Sequence, residues 1–508
     1  MFKALVGVSL LFFAACSTAS QPGGRGADEP VGGSDSPGTG GKSPGSASGG
    51  KGSAGNGGAS GGASGGAGTP AAGGSSGSAG GASGGAAGNP PGDDAGSAAG
   101  SGGGASGGAA GSPGNPAAGY RFGARPQMYP AGSIKPAGDQ AALDAAVKAA
   151  YDKWKAAYVM AACEGYVVKG GGTDLTSSPA LGTGMILTAM MAGHDPEAQT
   201  VFDGLFAVGR KFPSYLGIMV PAKHGIPPRA NNTSLPAYGV AQGCKAVSEG
   251  DSAVDGDLDF AFALLLADKQ WGSAGKVNYL AEAKKTISAI DMYDMSKARL
   301  PLIGDWASLP GEGHWSTDTK PPHFMVGHFR SFAKATGTMS WTETVDAVQT
   351  VIGEIQTKFS PMTGLFPQYL MGGKTLPGNT VLQDDRNAPA YFDAAGWIPL
   401  RLAADYIASS DPRSKAALSK ISDWIKGKAG GDPSKIVDGY RLDGTPLGSK
   451  GTLEYIAPFA AIAIFDAGNQ AWLDAAWKLM AAAPATNQRA DTANLLGMLI
   501  VSGNWWGI

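Results

Sequence analysis

The sequence predicts an all-α domain, a toroid of helix hairpins, and three observations carry that prediction. Beyond residue 120, apolar residues recur at three- and four-residue steps in about a dozen segments. Several of these open on a capping or first-turn acid, such as Asp195-Pro196-Glu197 and Asp411-Pro412. Period-two alternation is rare, which argues against a sandwich or a parallel α/β sheet. Helix count alone leaves an α-solenoid or a large bundle as alternatives.

The elements follow in chain order. Lys3, an apolar run from Ala4 to Phe13 and the pair Ala14-Ala15 before Cys16 read as an export signal, too short to cross about 30 Å of hydrocarbon. Phe13-Ala14-Ala15-Cys16 looks like a lipobox with Phe13 where Leu is preferred, so Cys16 is the expected lipidation site; an ordinary signal cleaved after an Ala is the alternative. The protein is therefore expected to be exported and lipid-anchored at the outer membrane or cell surface, otherwise periplasmic or secreted. Residues 17–118 are almost wholly Gly, Ser, Ala and Pro and hold 38 of the 82 glycines. Such a stretch has too little apolar surface to offset the entropy of ordering, and as a flexible tether would span roughly 50–60 Å.

The folded domain occupies 119–508. Its first helix, within 139–160, places Leu143, Val147, Tyr151, Trp154 and Tyr158 on one stripe. Further helices are expected near 181–192, 196–211, 256–270, 275–292, 323–336, 340–358, 393–408, 413–427, 453–466, 469–483 and 488–502.

Removing Cys16 to lipid leaves Cys163 and Cys244, a disulfide candidate in an oxidising compartment, with two buried thiols as the alternative. A net charge of −2 offers no polyanion-binding surface, so nucleic acid is not an expected partner. The five histidines include no His-Glu-x-x-His spacing, and no Gly-x-Ser-x-Gly elbow or Walker loop is visible in the folded domain. Neither a metal nor a cofactor is expected, and the chain is read as a monomer.

Asp251-Ser252-Ala253-Val254-Asp255-Gly256-Asp257-Leu258-Asp259 is similar to the signature of glycoside hydrolase family 8, with Val254 where Thr is usual. Ile134-Lys135-Pro136, Phe324 to Gly337, Thr363-Gly364-Leu365-Phe366-Pro367, Tyr391 to Tyr406 and the closing Asn494 to Trp506 resemble the family in the same order. The resemblance implies an (α/α)6 barrel and inverting hydrolysis of a β-1,4-linked polysaccharide, endoglucanase-like. Inversion needs a protonated acid and an ionised base roughly 6.5–9.5 Å apart, with water between base and sugar.

Carried over residue by residue, the resemblance implies Asp393 as base, in Phe392-Asp393-Ala394-Ala395-Gly396-Trp397-Ile398-Pro399-Leu400-Arg401. Phe392 and Gly396 stand where the family has Tyr and Arg. Asp255 matches the aspartate that holds the sugar at the cleavage point, and Asp257 follows on the same turn; Asp259 reads better as a first-turn acid answering the helix dipole. Trp306, Trp315, Tyr391 and Trp397 are candidate sugar platforms, and Arg401 a further substrate contact. The family acid position falls on Pro179, in Ser178-Pro179-Ala180-Leu181-Gly182-Thr183-Gly184-Met185, and proline holds no proton. Glu164 is the first substitute acid and Glu249 the second; the alternative is a surface-anchored relative that binds glycan with impaired cleavage.

Overall fold

The computed structural model describes residues 119–170, 173–214, 234–247, 250–309, 311, 313–372, 376–378 and 387–508. Cys16, the stretch 17–118 and the second candidate acid Glu249 lie outside them.

Among the described residues there are twelve α-helices, close to the expected spans. They are α1 (Gln140–Tyr158), α2 (Ser178–Met190), α3 (Ala198–Lys211), α4 (Val254–Trp271), α5 (Tyr279–Tyr293), α6 (Val326–Thr336), α7 (Met339–Lys358), α8 (Ile398–Ser409), α9 (Pro412–Lys428), α10 (Leu453–Ala463), α11 (Gln470–Ala482) and α12 (Gln488–Val501). The even-numbered helices close a ring: α2 packs on α4, α4 on α6, α6 on α8, α8 on α10, α10 on α12, and α12 back on α2. The odd-numbered helices form an outer layer, with α3 on α2, α5 on α4 and α6, α7 on α6, α9 on α8 and α10, α11 on α10 and α12, and α1 on α12. This double ring is the toroid of hairpins that the periodicity predicted.

Composition explains which helices go inside. An outer helix needs one apolar stripe, as α1 has with Leu143, Val147, Tyr151 and Trp154 buried. An inner helix covered on all sides must be apolar or small nearly throughout, as α2, α10 and α12 are, whereas α6 leaves Arg330 and Lys334 outside the core. In α2 every residue but Pro179 is buried, and in α10 every residue but Glu454. In α12 the residues that escape burial are Arg489 and Asp491, both in its first turn or the next residue. These three inner helices are thus sealed along their length and open at their N-terminal ends. Small residues allow the close approach of α2 to α4: a Cβ added at Gly182 would lie 2.8 Å from that of Asp259, and one at Gly256 would lie 2.4 Å from Ser178 Oγ.

Short strands decorate this frame. β1 (Val159–Ala162) and β2 (Gly165–Val168) form an antiparallel hairpin whose turn is Cys163-Glu164, both with positive φ. β3 (Thr176–Ser177), β4 (Gly239–Ala241) and β5 (Lys245–Ala246) make a three-stranded sheet leading into α2, and β6 (Leu370–Met371) pairs with β7 (Leu376–Pro377). Cys163 and Cys244 are disulfide-bonded, joining the two hairpin turns. No helix among the described residues is long and apolar enough to cross a membrane.

Candidate active site

The open N-terminal ends of the inner helices supply the polar groups of the site. Asp255 lies in the first turn of α4, Glu454 in that of α10 and Arg489 in that of α12. Lys320 and His323 precede α6, and Asp393 opens the 3-10 turn Asp393–Trp397 that leads into α8. Ser178 and Pro179 begin α2 beside Gly256. Six helix starts therefore contribute, and their dipoles favour carboxylates there.

Asp393 has φ +46°, the left-handed region that non-glycine residues adopt at a cost. Its carboxylate is about one-third exposed and forms an ion pair with Arg489, Nη1 to Oδ1 2.7 Å. Arg489 is itself clamped by Glu454, whose Oε1 accepts from Nε at 2.8 Å and pairs with Nη2 at 2.6 Å. The same Oε1 accepts from the Trp397 indole N–H at 2.9 Å. Trp397, half-buried, is thus tied to the wall that carries Asp393.

Across from this wall stands Asp255, 31% exposed. His323 lies behind it, Nε2 to Oδ1 4.0 Å. The other ring nitrogen, Nδ1, is 2.9 Å from the Leu302 carbonyl, which can only accept, so Nδ1 carries the proton. Burial, then the nearby Lys320, push the His323 pKa down to about 4, so the ring is neutral at neutral pH. Lys320 connects the two walls. Its ammonium lies 5.0 Å from the centre of the Tyr369 ring and in the field of both Asp255 and Asp393. Burial disfavours its charge, but Tyr369 and the two aspartates offset this and hold its pKa above the ordinary value.

Trp306 and Trp315 form an edge-to-face pair with centroids 5.5 Å apart, both half-buried, on consecutive 3-10 turns. Asp305 anchors them near the start of α4: it accepts from Ser252 N at 3.0 Å and from Ser214 Oγ at 2.6 Å. A half-buried aromatic pair of this kind suits the apolar face of a sugar.

Four residues read as site groups stand elsewhere. Glu164 is at the tip of the β1–β2 hairpin, against the outer helix α3, with its side chain 86% exposed. Lys211 pairs with it at 2.8 Å and holds its carboxyl below the ordinary range, the opposite of what a proton donor needs. Asp257 is fully buried, so it cannot touch a sugar; burial, then Asp294, Asp305 and Asp255, push its pKa well up. Tyr391 is also fully buried, packed on Tyr455 and Phe459 and bridged to Tyr440. Arg401 points into the barrel, Nη1 to Asp259 Oδ1 2.7 Å and Nη2 to Oδ2 2.5 Å, with His328 on the same aspartate at 2.9 Å. Local periodicity cannot tell a helix-start side chain that faces the cleft from one that faces the core.

Lys320, Tyr369, Glu454 and Arg489 are site residues that sequence reasoning missed. Arg489 left a signal: a cation in the first turn of a helix opposes the dipole and calls for an acidic partner. Lys320 and Tyr369 lie in loops whose pattern carries none.

The model for glycosyl hydrolases family 8 matches residues 127–435 of the chain. A beta-glucanase of Niallia circulans is 37% identical over 383 residues, covering 74% of this chain and 89% of its own. An endoglucanase of Bacillus sp. (strain KSM-330) is 38% identical over 399 residues, covering 75% and 81%. Among solved structures, the apo beta-1,3-1,4-glucanase of Paenibacillus sp. X4 superimposes with a TM-score of 0.71 at 35% identity, covering 77% of this chain and 99% of that one. A Paenibacillus barcinonensis structure complexed with xylose shares the fold, with a TM-score of 0.59 at 18% identity over 74% of this chain and 98% of that one.

Proposed function

Because this chain belongs to the family 8 glycosyl hydrolases, we propose that it hydrolyses a β-glucan by inversion, with mixed-linkage β-1,3-1,4-glucan or β-1,4-glucan as substrate. Asp393 serves as the base that takes a proton from water, and Asp255 holds the sugar at the cleavage point. The observation that carries this reading is the turn Pro321–His323, which packs both on α4, with His323 beside Asp255, and on the 3-10 turn that Asp393 opens, so that the starts of α4 and α8 form one site. The strained backbone at Asp393 supports the same assignment. Trp306 and Trp315 extend the cleft as a sugar platform.

A second reading, glycan binding with impaired cleavage, draws support from the start of α2. The place where the family carries its acid reads Pro179, and Glu164 sits on an exposed hairpin paired with Lys211. Release of reducing ends from soluble mixed-linkage glucan, xylan and chitosan separates the readings. Hydrolysis of the glucan is expected, reduced on the order of 10²–10⁴-fold in Asp393→Asn. Undiminished hydrolysis in Asp393→Asn would sink the base assignment, and glucan binding without hydrolysis would favour the second reading.

On sequence grounds alone we extend the proposal to location. An exported protein with lipid on Cys16 and a Gly/Ser/Ala-rich tether would hold its cleft away from the membrane, where long polysaccharides can reach it.

A further inference from the structure

We propose that Arg489 is a positioning residue for hydrolysis, fixing the Asp393 carboxylate toward the attacking water, and that Glu454 holds Arg489 for that task. The inference rests on the reading of Asp393 as the base.

The geometry begins with an arginine in an unfavourable place. Arg489 lies in the first turn of α12, where the helix dipole repels a cation. Two carboxylates from two other inner helix starts compensate. Glu454 takes two guanidinium nitrogens on one oxygen, at 2.8 and 2.6 Å, and the remaining Nη1 reaches Asp393 Oδ1 at 2.7 Å. The Trp397 indole N–H, 2.9 Å from that same Glu454 oxygen, fixes the clamp from the α8 side. Trp397, Glu454, Arg489 and Asp393 thus form one chain of contacts across α8, α10 and α12.

This arrangement does for Asp393 what its own segment does not. A carboxylate at φ +46° has a backbone that must be held from outside. Its near neighbours Ala394, Ala395 and Gly396 offer no side-chain donor. A planar guanidinium, locked by one carboxylate and presenting a single nitrogen to another, sets the orientation of the second. Arg489 and Asp393 are each about one-third exposed, so the pair borders the solvent through which water arrives.

The test uses β-cellobiosyl fluoride, because fluoride leaves without being protonated and the rate then reports the water side of the reaction alone. In that step the C1–F bond breaks with its electron pair on fluoride. The C1–O bond forms from water, and the water proton passes to Asp393 and on to solvent. Arg489→Ala is expected to lower kcat on the order of 10²-fold with KM changed little, since loss of orientation acts on the transition state rather than on sugar binding. Guanidinium chloride at sub-denaturing concentration should restore part of the rate to Arg489→Ala, while equal sodium chloride should not. Arg489→Lys and Glu454→Gln should retain intermediate rates.

An Arg489→Ala enzyme with unchanged kcat overturns the proposal, as does one whose loss lies wholly in KM, or a folded one that guanidinium does not rescue. Asp393→Asn, run alongside, separates the two failures. If Asp393→Asn keeps the wild-type rate, or wild type fails to turn over the fluoride, the base reading falls and this inference with it. If Asp393→Asn is dead while Arg489→Ala is not, the inference falls alone.

Discussion

Asp257 and Asp259, two residues apart on α4, show how position alone assigns opposite fates to the same side chain. Both are buried. Around Asp259, burial acts to raise the pKa, but Arg401 and His328 more than offset it and hold the carboxyl below its ordinary range. Around Asp257 the neighbours are further carboxylates, so burial and repulsion act in the same direction. Asp259 therefore contributes stability that is present above its unfolded pKa and lost as pH falls through its lower folded value. Asp257 carries its proton in the fold, so its contribution weakens as pH rises from its unfolded pKa toward the higher folded one. Thermal unfolding from acid to mildly alkaline pH should show this. Asp259→Asn is expected to cost about 3–5 kcal/mol at neutral pH, because Arg401 is left buried without its partner. Asp257→Asn, which mimics the neutral acid, is expected to cost little and to flatten the decline at higher pH. The sequence marked Asp259 as a helix-start acid and Asp257 as a sugar contact. That three acids stand at one helix start was legible, but which of them faces the cleft depends on α5, α6 and α8, far away in sequence.

At the scale of elements, α2, α10 and α12 are sealed except at their N-terminal ends, and Pro179 sits where α2 joins that open rim. Proline suits the first turn of a helix, since its missing N–H has no partner there. The first turn also favours a carboxylate by about 0.3–1 kcal/mol, so Pro179→Glu should be accommodated. If the rim at α2 is the leaving-group side, Pro179→Glu should raise kcat on mixed-linkage glucan about tenfold or more, since a positioned acid contributes on the order of 10²–10⁴. Cellobiosyl fluoride, which needs no proton donor, should respond far less. A variant that folds and gains nothing on the glucan would place proton donation elsewhere. The helices themselves were legible to within a few residues, because a 3.6-residue period survives whatever packs against it. The stretch expected as one helix over 393–408 divides into the 3-10 turn Asp393–Trp397 and α8, a break set by Asp393 and by Pro399 in the first turn. The disulfide candidate pair is joined, and β1–β2 and β3–β5 were not anticipated, since strands of two to four residues are too short to show a period.

For the whole molecule, alternation of inner and outer helices turns a sequence rule into a cleft. Helices apolar almost all round, such as α2 and α10, go to the inner ring, striped helices such as α1 cover them, and the polar residues of the candidate site lie at the open ends of inner helices. Asp255, Lys320, Asp393, Glu454 and Arg489 lie on or beside different helix starts, more than 230 residues apart at the extremes of Asp255 and Arg489. No local motif contains them all, which is why ordered motifs gave the family and two of these residues while Lys320, Glu454 and Arg489 waited for the fold. In the proposed reaction water attacks from the Asp393 side, opposite the departing oxygen. The stereochemistry of the first product tests it most directly, by following the anomeric proton signals of oligosaccharides released early from a β-glucan. The α-anomer is expected to appear first and then to mutarotate toward equilibrium. Early accumulation of the β-anomer would mean retention, and would contradict the assignment of Asp393 as the base of an inverting reaction.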